Sequence, residues 1–183
     1  MLFRIQVCNP RFDRTTGVTV EDLRAAIEEI TPFETEEMIM VWNCIPMRLE
    51  YKYDVSVIIS EILVMLDALT SGPSGSHRAS FGSDTFNADW DLSWADGTVH
   101  IHPTWKSLCA RMEAYLQTQG PVSTKLQAFL AEWKLPLRVI ADAVASSQIQ
   151  MEDDSDYQLL RRIEPAITHF GWRYPHLGPT VPQ

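Results

Sequence analysis

The chain reads as an α+β protein: a mainly antiparallel sheet with helices packed on one face, and a helical C-terminal half. Three observations carry that reading. Apolar and polar residues alternate at Phe3–Val7, Met47–Tyr53 and Asp89–Trp105, the period of half-buried strands. Asp96-Gly97 lies between the two arms of the last stretch and matches a two-residue hairpin loop. Beyond it, apolar residues recur at helical spacing, as in Leu126, Phe129, Leu130, Trp133, Leu137, Ile140 and Val144. Strands gathered ahead of helices give the α+β order.

Phe3, Ile5 and Val7 point one way and Arg4 and Gln6 the other, which predicts a first strand. Asn9 to Gly17 is a polar loop. Thr19 and Asp22 resemble a capping arrangement ahead of the stripe Leu23, Ile27, Ile30. Thr31-Pro32 predicts a short helical turn. Met38 to Ile45 is apolar apart from Asn43 and reads as one central strand, ended by Pro46. Met47, Leu49, Tyr51 and Tyr53 then alternate with Arg48, Glu50 and Lys52 as a second amphipathic strand.

Asp54 is placed to cap the next helix, whose core stripe is Ile58, Ile62, Met65 and Leu69. Ile59, Leu63 and Leu66 make it apolar nearly all round, so it is covered on more than one side. Residues 70–76 form a Gly/Ser/Pro loop. His77 to Phe86 adds an edge strand before the hairpin. Trp105, Leu108, Cys109, Met112 and Leu116 fit a helix closed by Gly120-Pro121. Pro136 predicts a kink in the long helix that follows. A final helix turns Leu160, Ile163, Ile167 and Phe170 inward, carries Pro165 and ends at Gly171. Residues 172–183 are proline-rich and predicted irregular.

Residues 1–183 read as one domain, with 45% hydrophobic and 21% charged residues. Six tryptophans exceed what a core of this size needs, so some are expected at the surface. Cys8, Cys44 and Cys109 form no CxxC pair, which disfavours a zinc site or a disulfide framework and fits free thiols in a reducing cytosol. The first residues are too polar for a signal peptide, and Val55 to Leu69 is too short to span a bilayer. A cytoplasmic protein without cofactor is expected. The net charge of −9 disfavours nucleic acid and anionic membrane and favours a basic protein partner. The sequence leaves its oligomeric state open.

The hairpin gives the sharpest candidate site. With Asp96-Gly97 as the loop, Trp94 faces Val99 and Leu92 faces Ile101 on the core side, while Trp90 also points inward. On the other side Ser93 faces His100 and Asp91 faces His102, within reach of an ion pair. Asp84, Asp89, Asp91, His100 and His102 are therefore the predicted contact residues of an acidic, histidine-bearing face. The run Glu152, Asp153, Asp154, Asp156 is the second candidate, although acids at a helix start also complement the macrodipole. Glu34, Glu36 and Glu37 read as a solvated turn. His100 and His102 share a strand face, which leaves a metal-dependent enzyme open as an alternative, but a third ligand is unmarked. GxSxG, GxGxxG and GxxxxGKS/T are all absent.

Four segments carry a resemblance. They are Tyr51-Lys52-Tyr53-Asp54 before an apolar helix, WDLSW and VHIHPTW on the hairpin, Phe129-Leu130-Ala131-Glu132-Trp133-Lys134, and Gly171-Trp172-Arg173-Tyr174. Together they resemble the immunity proteins of bacterial polymorphic toxin systems. That resemblance implies a small acidic cytosolic protein that neutralises a cognate toxin domain by direct, tight contact. It transfers no binding residue position by position. A structural or adaptor subunit of a larger assembly is the third alternative.

Overall fold

A computed structural model describes residues 3–13 and 17–168. In chain order these form β1 (Phe3–Val7), β2 (Thr19–Val20), α1 (Leu23–Ile30), β3 (Glu37–Trp42) and β4 (Ile45–Glu50). A π-helical turn, Tyr51–Val55, leads into α2 (Ser56–Thr70). Next come β5 (Gly75–Gly82), β6 (Phe86–Ala95) and β7 (Thr98–Leu108), then a 3₁₀ turn, Cys109–Arg111. The chain continues as α3 (Glu113–Gln119), β8 (Val122–Lys125), α4 (Leu126–Ser147), β9 (Gln150–Met151) and α5 (Ser155–Ala166).

The fold is α+β. One antiparallel sheet runs β1-β3-β4 and a larger one β5-β6-β7-β8, while β2 and β9 form a short parallel pair. One continuous apolar core joins both sheets to α1, α2, α4 and α5. Trp90 is its hub, with ring centroids 4.9 Å from Phe81, 5.2 Å from Trp42 and 6.1 Å from Phe3. The Phe81 and Phe3 contacts are edge-to-face and the Trp42 contact is tilted, and such ring pairs add to the area each ring buries. Helix α2 packs against α1, α5 and β5, as its apolar circumference requires. Among the described residues no helix is long and apolar enough to cross a membrane.

Strand edges are blunted by side chains. Glu132 on α4 is buried and accepts the Ile5 amide of β1 at 3.0 Å. Glu61 on α2 accepts the Ser80 amide of edge strand β5 at 2.9 Å. A carboxylate on a strand amide occupies a donor that another chain would otherwise pair with.

Several elements depart from expectation, each for a physical reason. Met38–Ile45 is not one strand. Asn43 (φ 45°) and Cys44 (φ 71°) form a left-handed two-residue loop between β3 and β4. The Asn43 amide nitrogen donates to the Gln119 carbonyl at 2.9 Å, which helps hold that geometry. Pro46 lies inside β4 instead of ending a strand. It opposes Val41 on an edge strand, one residue past the loop-closing pair, where its missing N–H would have faced away from β3. Residues 31–36 hold a turn and no helix.

The second strand stops at Glu50, and Tyr51 to Val55 coil into the π-helical turn. Trp105 and Leu108 belong to β7. A bulge between β6 and β7 makes Lys106 an extra residue, so Trp105 and Leu108 both point inward at a spacing that mimics a helix. Helix α5 ends at Ala166, short of the predicted end. Phe170, Gly171 and residues 172–183 lie outside the described residues. The expectation of exposed tryptophans fails for Trp42, Trp90, Trp94, Trp105 and Trp133, all buried.

Candidate functional site

The hairpin register is the predicted one: Asp91 opposes His102, Ser93 opposes His100, Leu92 opposes Ile101 and Trp94 opposes Val99. Asp96 (φ 51°) and Gly97 (φ 70°) supply the left-handed loop that this register needs. The polar side chains face outward across all four strands of the larger sheet, with Arg78 beside Asp91 and Lys125 beside Thr98.

The chemistry of that face differs from the expected acidic patch. Asp89 is only 6% exposed. Its carboxylate accepts from Lys106 Nζ at 2.6 Å and from Arg78 Nη2 at 2.6 Å. Those two cations, Lys106 first, hold its pKa down at about 2. Asp89 is therefore nearly enclosed and held by its own neighbours. Asp91 turns to Arg78 at 3.6 Å and makes no ion pair with His102. His100 Nδ1 shares a hydrogen bond of 2.7 Å with the Ser123 hydroxyl. Arg78, Lys106 and Lys125 balance Asp89 and Asp91, so the face carries no excess of negative charge.

The acidic run at the start of α5 is largely engaged in local structure. Asp153 accepts the Ser155 amide at 2.9 Å, and that bond lowers its pKa. Asp154 accepts from the Gln158 side chain at 2.9 Å. Asp156 accepts the Ser60 hydroxyl, which ties α5 to α2. Glu152 stays exposed. Among the described residues no hydrogen bond or ion pair links this run to the hairpin face. Nor is any group of three or more His, Cys, Asp or Glu side chains placed there to hold a metal ion.

A different cluster stands out around the π-helical turn. An insertion of this kind widens one helical turn and is found frequently at functional sites. It turns Asp54 inward, where the carboxylate is 2% exposed. Asp54 does not cap α2, as the sequence predicts. It accepts the Glu50 amide at 3.0 Å, the Ser83 hydroxyl at 2.5 Å and the Thr85 hydroxyl at 2.6 Å. These bonds pin the loop between β5 and β6 to the end of β4.

The pinned loop walls a cleft of about 450 Å³ lined by Arg24, Glu50, Tyr53, Asp54 and Asp84. Burial pushes the Glu50 carboxyl above its ordinary range, and the neighbouring charges of Asp54 and Glu34 push it further. Arg24 is engaged by Glu28 at 2.9 Å and Arg48 by Glu37 at 2.5 Å. Among the described residues Glu34, Glu36, Glu50 and Asp84 form no ion pair within 4 Å, and Arg48 offsets only part of the upward push on Glu50. Phe33, beside Glu34, is 56% exposed and Tyr53 48% exposed.

Of the predicted contact residues, the structure places Asp84 alone in this cluster. Asp89, Asp91, His100 and His102 lie on the outer face of the larger sheet. Glu50, Asp54, Ser83 and Thr85 were not foreseen. The readable signal is Ser83-Asp84-Thr85, three consecutive polar residues between Phe81 and Phe86. Neither a family model, nor a curated protein, nor a solved structure matches this chain.

Proposed function

We propose that this chain is a non-enzymatic cytoplasmic protein that binds and neutralises a basic protein domain, the role of the toxin immunity proteins its sequence resembles. One observation supports this reading above the others: the carboxylates around the π-helical turn outnumber the cations near them, and two aromatic side chains stand exposed in the same stretches of chain. An unneutralised carboxylate cluster attracts a basic partner and speeds encounter. Exposed aromatic rings then supply the desolvated contacts that slow release. The charge-balanced outer face of the larger sheet offers little of either.

Co-expression with the toxin domain encoded beside it tests the reading. Growth rescue is expected. Asp84→Lys and Glu34→Lys should each weaken the complex about tenfold, more at low salt than at high, whereas Asp91→Lys should change it by less than about twofold. No rescue with both proteins soluble counts against the reading. Rescue that depends on Asp91 and not on Asp84 returns the interface to the hairpin face.

A further inference from the structure

The carboxylate cleft has a second compartment. On the other side of Thr85 lies a slot of about 230 Å³, lined by apolar side chains such as Pro46, Met47, Phe86 and Leu108 and by Arg48, whose guanidinium is paired with Glu37. Thr85 borders both spaces. Its hydroxyl is held by Asp54 at 2.6 Å, and its carbonyl accepts the Cys109 amide at 2.9 Å. The divider is thus fastened from both sides. The slot has room for one aliphatic side chain and is smaller than the ~300–1,000 Å³ typical of drug-sized ligands. Met47 and Met112 give it walls that adapt to shape.

The rim of the slot is strained. Ala110 (φ 60°) and Arg111 (φ 56°) are consecutive non-glycine residues in the left-handed region, directly after Cys109. Strain of this type persists where surrounding structure enforces it, and it clusters at binding sites. The slot alone would suit any apolar group. Its neighbour decides the occupant, because Glu50 and Asp84 place negative charge across Thr85 from it, while the two arginines that line these spaces, Arg24 and Arg48, are paired with Glu28 and Glu37.

We infer that the slot and the cleft form one two-part docking site for a protein segment carrying an aliphatic side chain next to a lysine or arginine. The aliphatic group enters between Met47 and Leu108. The cation crosses Thr85 and meets Glu50 and Asp84. This rests on the proposed binding of a basic partner and names what that partner presents.

The probe is N-acetyl-leucyl-arginine amide, titrated into the full chain and followed by backbone amide shifts. Saturable shifts are expected at Asp84, Thr85, Leu108 and Cys109. Leucyl-citrulline and seryl-arginine analogues should each bind at least about fivefold more weakly, since each lacks one half of the contact. Asp84→Asn removes charge at an exposed position, and Cys109→Trp fills the slot from its rim. Each should weaken the probe about tenfold while circular dichroism stays native.

Absence of shifts at these residues up to about 10 mM probe overturns the inference. Acetyl-leucine amide binding as well as the arginine probe overturns it too, leaving an apolar small-molecule slot. Shifts at the same residues that rise with protein concentration, together with a dimer in light scattering, reassign the site to a second copy of this chain. The neutralisation reading is judged separately. Growth rescue that survives both Asp84→Asn and Cys109→Trp sinks the docking site and leaves that reading standing. Probe binding without rescue by the unaltered protein does the reverse.

Discussion

Two regions of this molecule carry carboxylates, and they hold them in opposite ways. On the outer face of the larger sheet, Asp89 sits between Lys106 and Arg78, and its pKa is driven down. Beside the π-helical turn, Glu50 sits near Asp54 and Glu34, and its pKa is driven up. The first acid stabilises the fold by being charged, whereas the second opposes it. A charge already satisfied inside the molecule has little left to offer a partner. A charge that a partner could relieve is a natural place for recognition, at some expense in stability. Net charge alone cannot separate these cases, because both acids count equally in the total of −9.

The largest expected effect tests the frame of the cleft. Asp54→Ala strands two hydroxyls and the Glu50 amide without their acceptor. Buried groups left unpaired cost roughly 1–3 kcal/mol each, partly recovered when water enters, so a loss of about 3 kcal/mol is expected. Urea unfolding at neutral pH measures it. A loss below about 1 kcal/mol would mean that the loop between β5 and β6 is held by its strands and not by Asp54.

A smaller effect belongs to Asp89 and has a defined pH window. Its folded pKa of about 2 lies below the unfolded value. The unfolded chain therefore takes up the proton first as pH falls. The stabilisation is complete above about pH 5 and is lost as the pH falls through about 2. Arg78 and Lys106 are solvent-exposed partners, so screening reduces the contribution to about 1 kcal/mol. Asp89→Asn should lower stability by that amount at pH 7 and by only a small fraction of it at pH 2. An equal difference at both pH values would assign the effect to packing instead of charge.

Much of the fold was readable from the residues, and the hairpin shows why. Its register follows from a strict period of two and an Asp-Gly loop, both local signals, and every predicted pair from Asp91–His102 to Trp94–Val99 is present. The hairpin at Asn43-Cys44 was hidden because cysteine occupies a left-handed position that usually takes glycine. Lys106 as a bulge residue turned a strand spacing into a helical one. The cleft was less accessible still. Its hydrogen bonds join Asp54 to Ser83 and Thr85, 29 and 31 residues away, so no periodicity or motif announces them. The charge balance of the hairpin face is hidden in the sequence for the same reason. Arg78 neutralises it from a different strand and Lys106 from the bulge.

The smallest expected effect is also the most direct discriminator between the two regions, because it differs in sign. Glu50 has a folded pKa above its unfolded value, so its contribution favours folding most at pH values below the unfolded pKa and is lost as pH rises through the folded one. At neutral pH the ionised carboxylate is a burden created by burial and by like charge. Glu50→Gln keeps the shape and removes that charge. Solvent screening keeps the effect small: stability at pH 7 should rise by no more than about 0.3 kcal/mol, and the gain should vanish near pH 3, below the raised pKa of the native carboxyl. Asp89→Asn moves the other way over the same range. The same Glu50→Gln variant should bind a basic partner more weakly while folding more firmly. Such opposed changes are expected of a residue kept for contact at the expense of the fold. If the substitution destabilises at pH 7, Glu50 is satisfied by its surroundings, and the distinction between the two regions fails at its most sensitive point.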